Sequence, residues 1–304
     1  MSKQIGFIVL SHACPPQLLR LVRTLHRAYD NPPIVCHHDF TQSPLCTDDF
    51  PSAVQFVSPH VKTRWAQFSI VEAILRALEL LYRDAAPDWF VLLSGADYPT
   101  MRSDKVLIDL TSNEMDVLLD FQEVLKFPSD SSYSAPDNQN PGLQHFGTPE
   151  NSRLAWRRYV ASSVWFPILR SGPRLGRYTV YFPFEAWRSP FGPDFKCFYG
   201  STWLTGNRKV AEILLKPTDK HMHLRRYLRW RVMGDECYFQ TVLGNAPHLK
   251  IDRVTRRFCV WDGGYHPNVL GLDDLPAIVS SKAHFARKFS PDSPVLDEID
   301  RMLS

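Results

Sequence analysis

The stretch WFVLLSGADYP, residues 89–99, indicates the class of fold that this chain adopts. Its first five residues form a continuous apolar run, which is typical of a strand buried on both faces of a parallel sheet. A polar turn from Ser94 to Pro99 follows directly, and open α/β sheets bind their ligands at the carboxyl ends of the strands. We therefore expect a core strand at residues 89–93 and a ligand-binding loop immediately after it.

The same alternation of buried strand and amphipathic helix runs through the first 120 residues. Apolar runs predict further strands at residues 4–10, 34–37, 54–57 and 116–120. Apolar residues at helical spacing predict helices from Leu18 to Tyr29, from Trp65 to Tyr82 and near residues 103–110. This order predicts an α/β fold with a mainly parallel, doubly wound sheet.

The composition is that of an ordinary globular protein, with 304 residues of which 44% are hydrophobic and 22% are charged. The net charge of +3 is too small to indicate a nucleic-acid partner, although it leaves room for a local basic site. The six cysteines show no CxxC pair, so the sequence indicates neither a zinc site nor a disulfide framework. Because no window approaches the ~20 apolar residues of a membrane span and no signal peptide is recognisable, we expect a cytoplasmic protein.

The stretch GDECYFQT, residues 234–241, holds a candidate catalytic carboxylate. Glu236 stands just ahead of an apolar, helical run, and a carboxylate at the mouth of a packed helix can be fixed in direction and still reach solvent, as a general base requires. The alternative is structural. Asp235 would cap the helix and Glu236 would supply a favourable charge in its first turn.

The region between residues 120 and 234 changes character twice. Residues 128–153 are rich in serine, asparagine and proline and predict an exposed excursion. Aromatic residues concentrate in 156–203, which suits either a sugar-binding surface or the core. FYGSTWL, residues 198–204, predicts a strand in which Gly200 marks a close approach by backbone or ligand. Asn207 is expected to cap a helix over 208–215.

Five motifs follow one another in an order that resembles glycosyltransferase family 14, the core-2/I-branching β-1,6-N-acetylglucosaminyltransferases and the related peptide O-xylosyltransferases, in a compact bacterial form. They are residues 65–69 with the following helix, WFVLLSGADYP (89–99), FYGSTWLTGNRKVAEILL (198–215), GDECYFQTVL (234–243) and HFARKF (284–289). The resemblance implies a single GT-A-like domain over residues 1–304. Its nucleotide-sugar half would be 1–125, an exposed excursion 126–155, and its acceptor and catalytic half 156–304.

The resemblance also implies an inverting transfer of N-acetylglucosamine, or else xylose, from a UDP-sugar to a hydroxyl of a glycan or lipid-linked glycan. Glu236 would take the proton of the acceptor hydroxyl, which leaves Asp235 as a cap or an orienting neighbour. Lys288 and either Arg256 or Arg257 would stabilise the leaving diphosphate, with no divalent metal and no other cofactor. The sequence contains no D-x-D motif, in agreement with metal independence.

The remaining site residues implied by the resemblance bind the two substrates. Ser11, His12 and Asp39, at the ends of the first two strands, would bind the nucleoside, and Asp97 would hold either the donor or its own loop. Arg158 and Trp203 are expected at the acceptor. The family's acidic acceptor position has no clear match, and the nearby candidates are Gln144, His145 and Glu150.

Several alternatives stay open at this point. A nucleotide-sugar or glycan binding protein could keep the fold without turnover. A glycoside hydrolase using Asp235 and Glu236 is disfavoured, because paired carboxylates must face each other across the substrate. Metal sites in residues 37–39 and 221–223 would need a third ligand cluster. The arginine-rich segment 225–231 fits either a peripheral contact with anionic lipid or a solvated helix face, and no protein partner is indicated.

Overall fold

The structure, a computed structural model, describes residues 3–112, 114–128, 148–169, 175–262 and 266–304. The strands are β1 (Ile5–Ser11), β2 (Ile34–His38), β3 (Val54–Phe56), β4 (Trp89–Ser94), β5 (Asp97–Pro99), β6 (Val117–Leu118), β7 (Gln122–Glu123), β8 (Ala161–Leu169), β9 (Leu175–Glu185), β10 (Phe198–Tyr199), β11 (Thr205–Asn207), β12 (Ile251–Asp252), β13 (Arg257–Phe258) and β14 (Phe285–Arg287). The helices are α1 (Pro15–Ala28), α2 (Ser69–Asp84), α3 (Ser103–Ser112), α4 (Pro149–Ala155), α5 (Arg208–Leu215), α6 (Asp219–Leu228), α7 (Asp235–Gly244), α8 (Leu275–Ser280) and α9 (Val295–Leu303).

The central sheet has seven strands within the described ranges, in the order β12-β6-β11-β4-β1-β2-β3. β1 runs parallel to both β2 and β4, and β2 runs parallel to β3. β11 is antiparallel to its two neighbours, β4 and β6. The α/β class and the mainly parallel sheet expected from the sequence are therefore confirmed.

Hydrophobic cores cover both faces of this sheet, because successive strand residues point to opposite sides. Ile8, Phe90 and Leu92 face a core that also takes buried residues of α2, α5 and α7. Phe7 and Leu93 face a second core that takes residues of α1, α3 and α9. These two layers hold the carboxyl ends of β1, β2 and β4 at one edge of the sheet.

Trp65 does not belong to the helix that the sequence predicts. α2 begins only at Ser69, and the Trp65 side chain is 64% exposed. The expectation that Trp65 lines the buried face of the helix is therefore wrong. The apolar spacing extends backwards into a loop, where Ala66 adopts a positive φ of 61° that no α-helix accommodates.

The predicted strand at 198–204 is wrong in its second half. β10 ends at Tyr199 and the chain then crosses to β11 of the central sheet. A Cβ on Gly200 would lie 2.1 Å from the carbonyl oxygen of Asp120, so only glycine permits this crossing. The close approach expected at Gly200 is confirmed, and so is the cap at Asn207, whose side chain accepts a hydrogen bond from Val210 N.

A small sheet brings the C-terminal region to the turn after β4. Its order is β13-β14-β5, with β14 antiparallel to β5 so that Arg287 lies opposite Asp97. In the range 126–155, residues 129–147 lie outside the described residues, whereas Pro149–Ala155 form α4. None of the described helices is long and apolar enough to cross a membrane.

Candidate active site

Glu236 lies in the first turn of α7, two residues after a glycine that packs tightly against the neighbouring chain. Gly234 precedes the helix, and a Cβ there would lie 3.1 Å from the ring of Phe68. Burial, reinforced by the charge of Asp235, raises the pKa of Glu236 to about 8. The carboxyl group is therefore available in both protonation states near neutral pH, which suits proton transfer.

Asp235 points to a different partner from Glu236. It is the first residue of α7, so the N-cap position belongs to Gly234, and its Oδ2 accepts a hydrogen bond from Thr202 Oγ1 at 3.1 Å. Burial raises the pKa of Asp235 as well. The two adjacent carboxyl groups thus differ in surroundings, and Asp235 serves to fix the segment that carries Thr202.

Asp120 is a third carboxyl group of this site, and it was not predicted from the sequence. It lies just after β6 and accepts a hydrogen bond from Ser201 N at 3.2 Å. Burial raises the pKa of Asp120 to about 7, and its charge contributes to the raised pKa of Glu236. Its position at the carboxyl end of a parallel strand is the signal that could have found it.

Arg158 provides the cation nearest to Glu236 among the described residues. Its Nη1 lies 3.9 Å from Glu236 Oε2 and counteracts the rise in the pKa of that carboxyl group. Arg158 belongs to a single π-helical turn, Trp156–Val160, in which Tyr159 donates a hydrogen bond to the carbonyl of Met233. This bond ties the turn to the residues immediately before α7, so that Arg158 and Glu236 are held together.

A cluster of basic side chains surrounds Asp97, which is fully buried. Arg287 Nε lies 3.0 Å and Arg257 Nη1 lies 3.7 Å from the Asp97 carboxylate. Ser94 donates two hydrogen bonds to Asp97, which therefore holds its own loop by hydrogen bonds and the two arginines by ion pairs. Burial lowers the pKa of Arg257 to about 10 and lowers the pKa of Lys288, which follows Arg287 in the chain.

Lys288 is half-buried, and within the described part of the chain no hydrogen bond or ion pair is found for its ammonium. Arg257 Nε and Nη1 form no hydrogen bond within that part either, but both atoms are buried. Planar guanidinium groups and ammonium groups are suited to phosphate oxygens. Arg287 was not singled out from the sequence, although it stands inside the HFARKF motif.

The segment Gly200–Leu204 joins the acidic and the basic parts of the site. At one end Gly200 N donates to the backbone carbonyl of Glu236 at 2.9 Å. At the other end Arg257 donates to Leu204 O, and the Arg287 guanidinium stacks 4.6 Å from the centre of the Trp203 ring. Since four peptide units join the two ends and an extended chain advances about 3.3 Å per residue, the ends lie at most about 13 Å apart.

A second connection runs through the loop before α2. Met233 N donates to Ala66 O, next to Glu236, while the Trp65 ring lies 5.9 Å from the ring of His266. The charge of Lys288 lowers the pKa of His266, so this histidine lies close to the basic cluster. The structure thus brings Glu236, Arg158, Trp203, Arg257 and Lys288 to one region.

Arg256 lies elsewhere, although it adjoins Arg257 in sequence. Its guanidinium pairs with Asp109 at 2.9 Å and with Asp252 at 3.2 Å. Together with the buried His284 it lines a separate cavity of ≈ 460 Å³. Of the two arginines left open by the sequence, Arg257 is the one that shares Asp97 with Arg287.

The predicted nucleoside residues lie at the ends of β1 and β2. Ser11 Oγ is 3.2 Å from His38 Nδ1, and His12 is exposed beside them. Asp39 is buried and accepts hydrogen bonds from Thr41, Gln42 and Thr63, which hold its pKa well below the usual range despite burial. Asp39 therefore ties the chain that follows β2 to the segment around Thr63.

The histidine runs considered as metal sites make hydrogen bonds within the chain instead. His37 Nε2 accepts from Val61 N, and His38 Nε2 lies 2.7 Å from Ser43 O. His221 completes the cap of α6 through Thr218. No group of three or more metal-ligating side chains is found among the residues that the structure describes. Of the acidic acceptor candidates, Glu150 is exposed, while Gln144 and His145 lie outside the described residues.

Comparison with known proteins gives a family match and more distant relatives. The model of the family described as "Branch: Core-2/I-Branching enzyme" matches residues 36–158 and 173–282. Beta-glucuronosyltransferase GlcAT14B of Arabidopsis thaliana is 27% identical over 321 aligned residues, which cover 99% of this chain and 66% of that protein. GlcAT14A of the same plant is 28% identical over 242 residues, which cover 76% of this chain and 46% of the relative. The chain thus spans about half to two thirds of the length of these curated relatives.

Among solved structures, a 4-diphosphocytidyl-2C-methyl-D-erythritol synthase from Anaerococcus prevotii aligns with 75% of this chain and 86% of its own. The TM-score is 0.31 and the sequence identity is 11%. These values are too low to assign a fold family.

Proposed function

Because this chain belongs to the core-2/I-branching enzyme family, we propose that it is a glycosyltransferase that moves a sugar from a nucleotide donor to a hydroxyl group of a glycan. The observation that supports this most is the link between the two parts of the site. The segment Gly200–Leu204 contacts the backbone of Glu236 at one end and the arginines around Asp97 at the other. A donor sugar lying along it would have its diphosphate at the cations and its anomeric carbon towards the carboxylate.

Glu236 is the proposed general base of an inverting displacement. The acceptor oxygen forms a bond to the anomeric carbon as its proton passes to Glu236, and the bond from that carbon to the diphosphate oxygen breaks with its electron pair going to the diphosphate. A base with a pKa of about 8 retains the proton that it accepts near neutral pH. Arg158 stabilises the ionised form that must be present before the reaction.

Arg257, Arg287 and Lys288 are proposed to stabilise the leaving diphosphate. Two guanidinium groups and one ammonium group carry the charge that a divalent ion supplies in other enzymes. Asp97 keeps the two arginines oriented by ion pairs at 3.0 and 3.7 Å. We propose that the reaction needs no metal, and transfer at an unchanged rate in a chelator is the expected result. Ser11, His12 and Asp39 remain the proposed nucleoside contacts, in a GT-A-like arrangement.

The donor sugar is proposed from the relatives. The family resemblance suggests N-acetylglucosamine or xylose on UDP. The names of the two plant relatives favour glucuronic acid instead, and this is the donor that we place first. A panel of UDP-glucuronic acid, UDP-N-acetylglucosamine and UDP-xylose, scored by release of UDP with and without a glycan acceptor, decides among them.

The substitution Glu236→Gln tests the proposed base. It keeps the shape of the side chain and removes its basicity, so transfer should fall by roughly 10²–10⁴-fold while UDP still stabilises the protein in a thermal-shift assay. Glu79→Gln, an exposed position on α2, is the matched control and should keep full activity. Transfer by Glu236→Gln at the wild-type rate would show that another group is the base. Binding of UDP-sugars with no turnover in the wild type would favour the non-catalytic alternative.

A further inference from the structure

Large aromatic side chains stand unusually exposed on four neighbouring segments of the chain. Phe127, Trp187 and Trp230 are 85%, 94% and 78% exposed, and Phe184 is exposed between them in sequence. Such rings rarely face water without a partner, and together they form an apolar surface of the kind that marks an interaction site. None of these four residues belongs to the proposed catalytic site.

Contacts between the four segments show that the residues next to the exposed rings lie close together in the fold. Lys126, next to Phe127, donates a hydrogen bond to Pro183 O at 2.8 Å. Ala186 N, next to Trp187, donates to Val160 O at 2.9 Å. Arg231, next to Trp230, donates to Ala161 O at 2.9 Å and to Ser163 Oγ at 3.0 Å. All four segments therefore meet at the open end of the β8–β9 pair, where β8 begins and β9 ends.

The charge of this surface is strongly one-sided. Residues 126–127, 153–163, 181–188 and 226–232 contain eight basic residues and a single acidic residue, Glu185. The basic residues are Lys126, Arg153, Arg157, Arg158, Arg188, Arg226, Arg229 and Arg231. Arg229 is paired with Glu72 of α2, and Arg231 is occupied by its hydrogen bonds to β8, but Arg157, Arg188 and Arg226 are exposed. The surface therefore combines projecting rings with a basic surround.

We propose that this aromatic and basic surface docks on an anionic membrane. Tryptophan and phenylalanine insert at the boundary between headgroups and acyl chains, and nearby arginines attract anionic headgroups. A sugar-binding ring is covered on one face by the protein, whereas a side chain that is 94% exposed has neither face covered. Full exposure suits insertion into the lipid boundary better than stacking of a single sugar.

The surface adjoins the proposed base. Arg231 donates to the carbonyl of Arg158, and Arg158 lies 3.9 Å from Glu236. Docking would therefore place the acceptor side of the site at the membrane, where a glycan attached to a lipid would present its hydroxyl groups. The docking itself is independent of the proposed function, and it is tested without any transfer assay.

Vesicle flotation measures the docking directly. The purified full chain should float with vesicles of phosphatidylcholine and phosphatidylglycerol, and should bind vesicles of phosphatidylcholine alone at least about tenfold more weakly, because each basic residue near the surface adds to the attraction. Raising the salt concentration should weaken the binding. Equal binding to both kinds of vesicle, or to neither, overturns the proposal.

The double variant Trp187→Ala with Trp230→Ala should lose at least about tenfold in binding to the anionic vesicles, because the rings supply the inserted area. Ile108→Ala, which removes an exposed apolar side chain from α3, is the control and should bind as the wild type does. Unchanged melting temperatures confirm that both variants fold. Undiminished flotation of the double variant overturns the proposal. If vesicles are not bound, retention of the chain on a polysaccharide would also overturn the proposal. A wild-type dimer that dissociates in the double variant would overturn it in the same way.

Discussion

Replacing Arg158 by methionine should move the pH profile of sugar transfer without changing its plateau. Arg158 Nη1 lies 3.9 Å from Glu236 Oε2, and two unit charges at that distance attract by about 4 kcal/mol at an effective dielectric constant of about 20. The Arg158 side chain is 35% exposed, so we discount this value for screening by water to about 1 kcal/mol.

This energy corresponds to a rise of about 0.7 unit in the pKa of Glu236, above its value of about 8 in the wild type. The ionised fraction at pH 7 then falls from about one tenth to about one fiftieth, and the rate at that pH falls about fivefold. Above about pH 9.5 both proteins carry an ionised Glu236, so their rates should converge.

The measurement is kcat/KM for UDP release in the presence of the acceptor, from pH 6 to pH 10. Arg158→Lys keeps the charge and should restore the wild-type midpoint, which a loss of packing would not explain. A loss of equal size at every pH, with an unchanged midpoint, would refute the electrostatic role. It would instead support the contact with the acceptor that the family resemblance implies for Arg158.

Three further substitutions address the carboxyl cluster and the chain around it. Asp120→Asn removes a negative charge near Glu236, so the midpoint of the same pH profile should move to lower pH. A shift to higher pH, or no shift, would show that Asp120 is not coupled to Glu236. Gly200→Ala places a Cβ 2.1 Å from the carbonyl oxygen of Asp120, so the free energy of unfolding measured in urea should fall by at least about 3 kcal/mol. Gly192→Ala is the control and should lower it far less, because a Cβ there meets nothing within 4 Å. Asn207→Ala removes the cap of α5 and the hydrogen bond that Asn207 donates to Asp116, and should lower the free energy of unfolding by about 1–2 kcal/mol. Asn207→Asp keeps the cap but sets a second carboxylate against Asp116, so it should not restore the stability.

Local patterns in the sequence were enough to predict the framework of the fold. The apolar runs at β1, β2 and β4 and the helical spacing of α1 identified a parallel sheet with helices on both faces, because these patterns depend only on which residues are buried. Trp65 shows where helical spacing misleads. An apolar residue at helical spacing is placed in a helix by periodicity alone, but the backbone before Ser69 departs from helical geometry at Ala66.

The candidate site was predictable where it follows a motif, and it was not where it depends on contacts between distant segments. Glu236 and Lys288 were identified within short motifs, and their roles remain predictions. Asp120 and Arg287 gain their meaning from partners far away in sequence, Ser201 and Asp97, which no local pattern reveals. The choice between Arg256 and Arg257 likewise required the positions of Asp109 and Asp97.

The segment Gly200–Leu204 acts as a spacer of fixed length. It connects β10 to β11 without belonging to either strand, and hydrogen bonds to Asp120, Gln240 and Arg257 hold it in place. Because its length is set by the number of its peptide units, side-chain substitutions leave the length of this connection between Glu236 and Arg257 unchanged. If the proposed function holds, inserting or deleting one residue would displace an anchored end of the segment by up to about 3 Å, and transfer should fall. The side chains that border the segment are therefore the better place to adapt the site to a larger or smaller donor sugar.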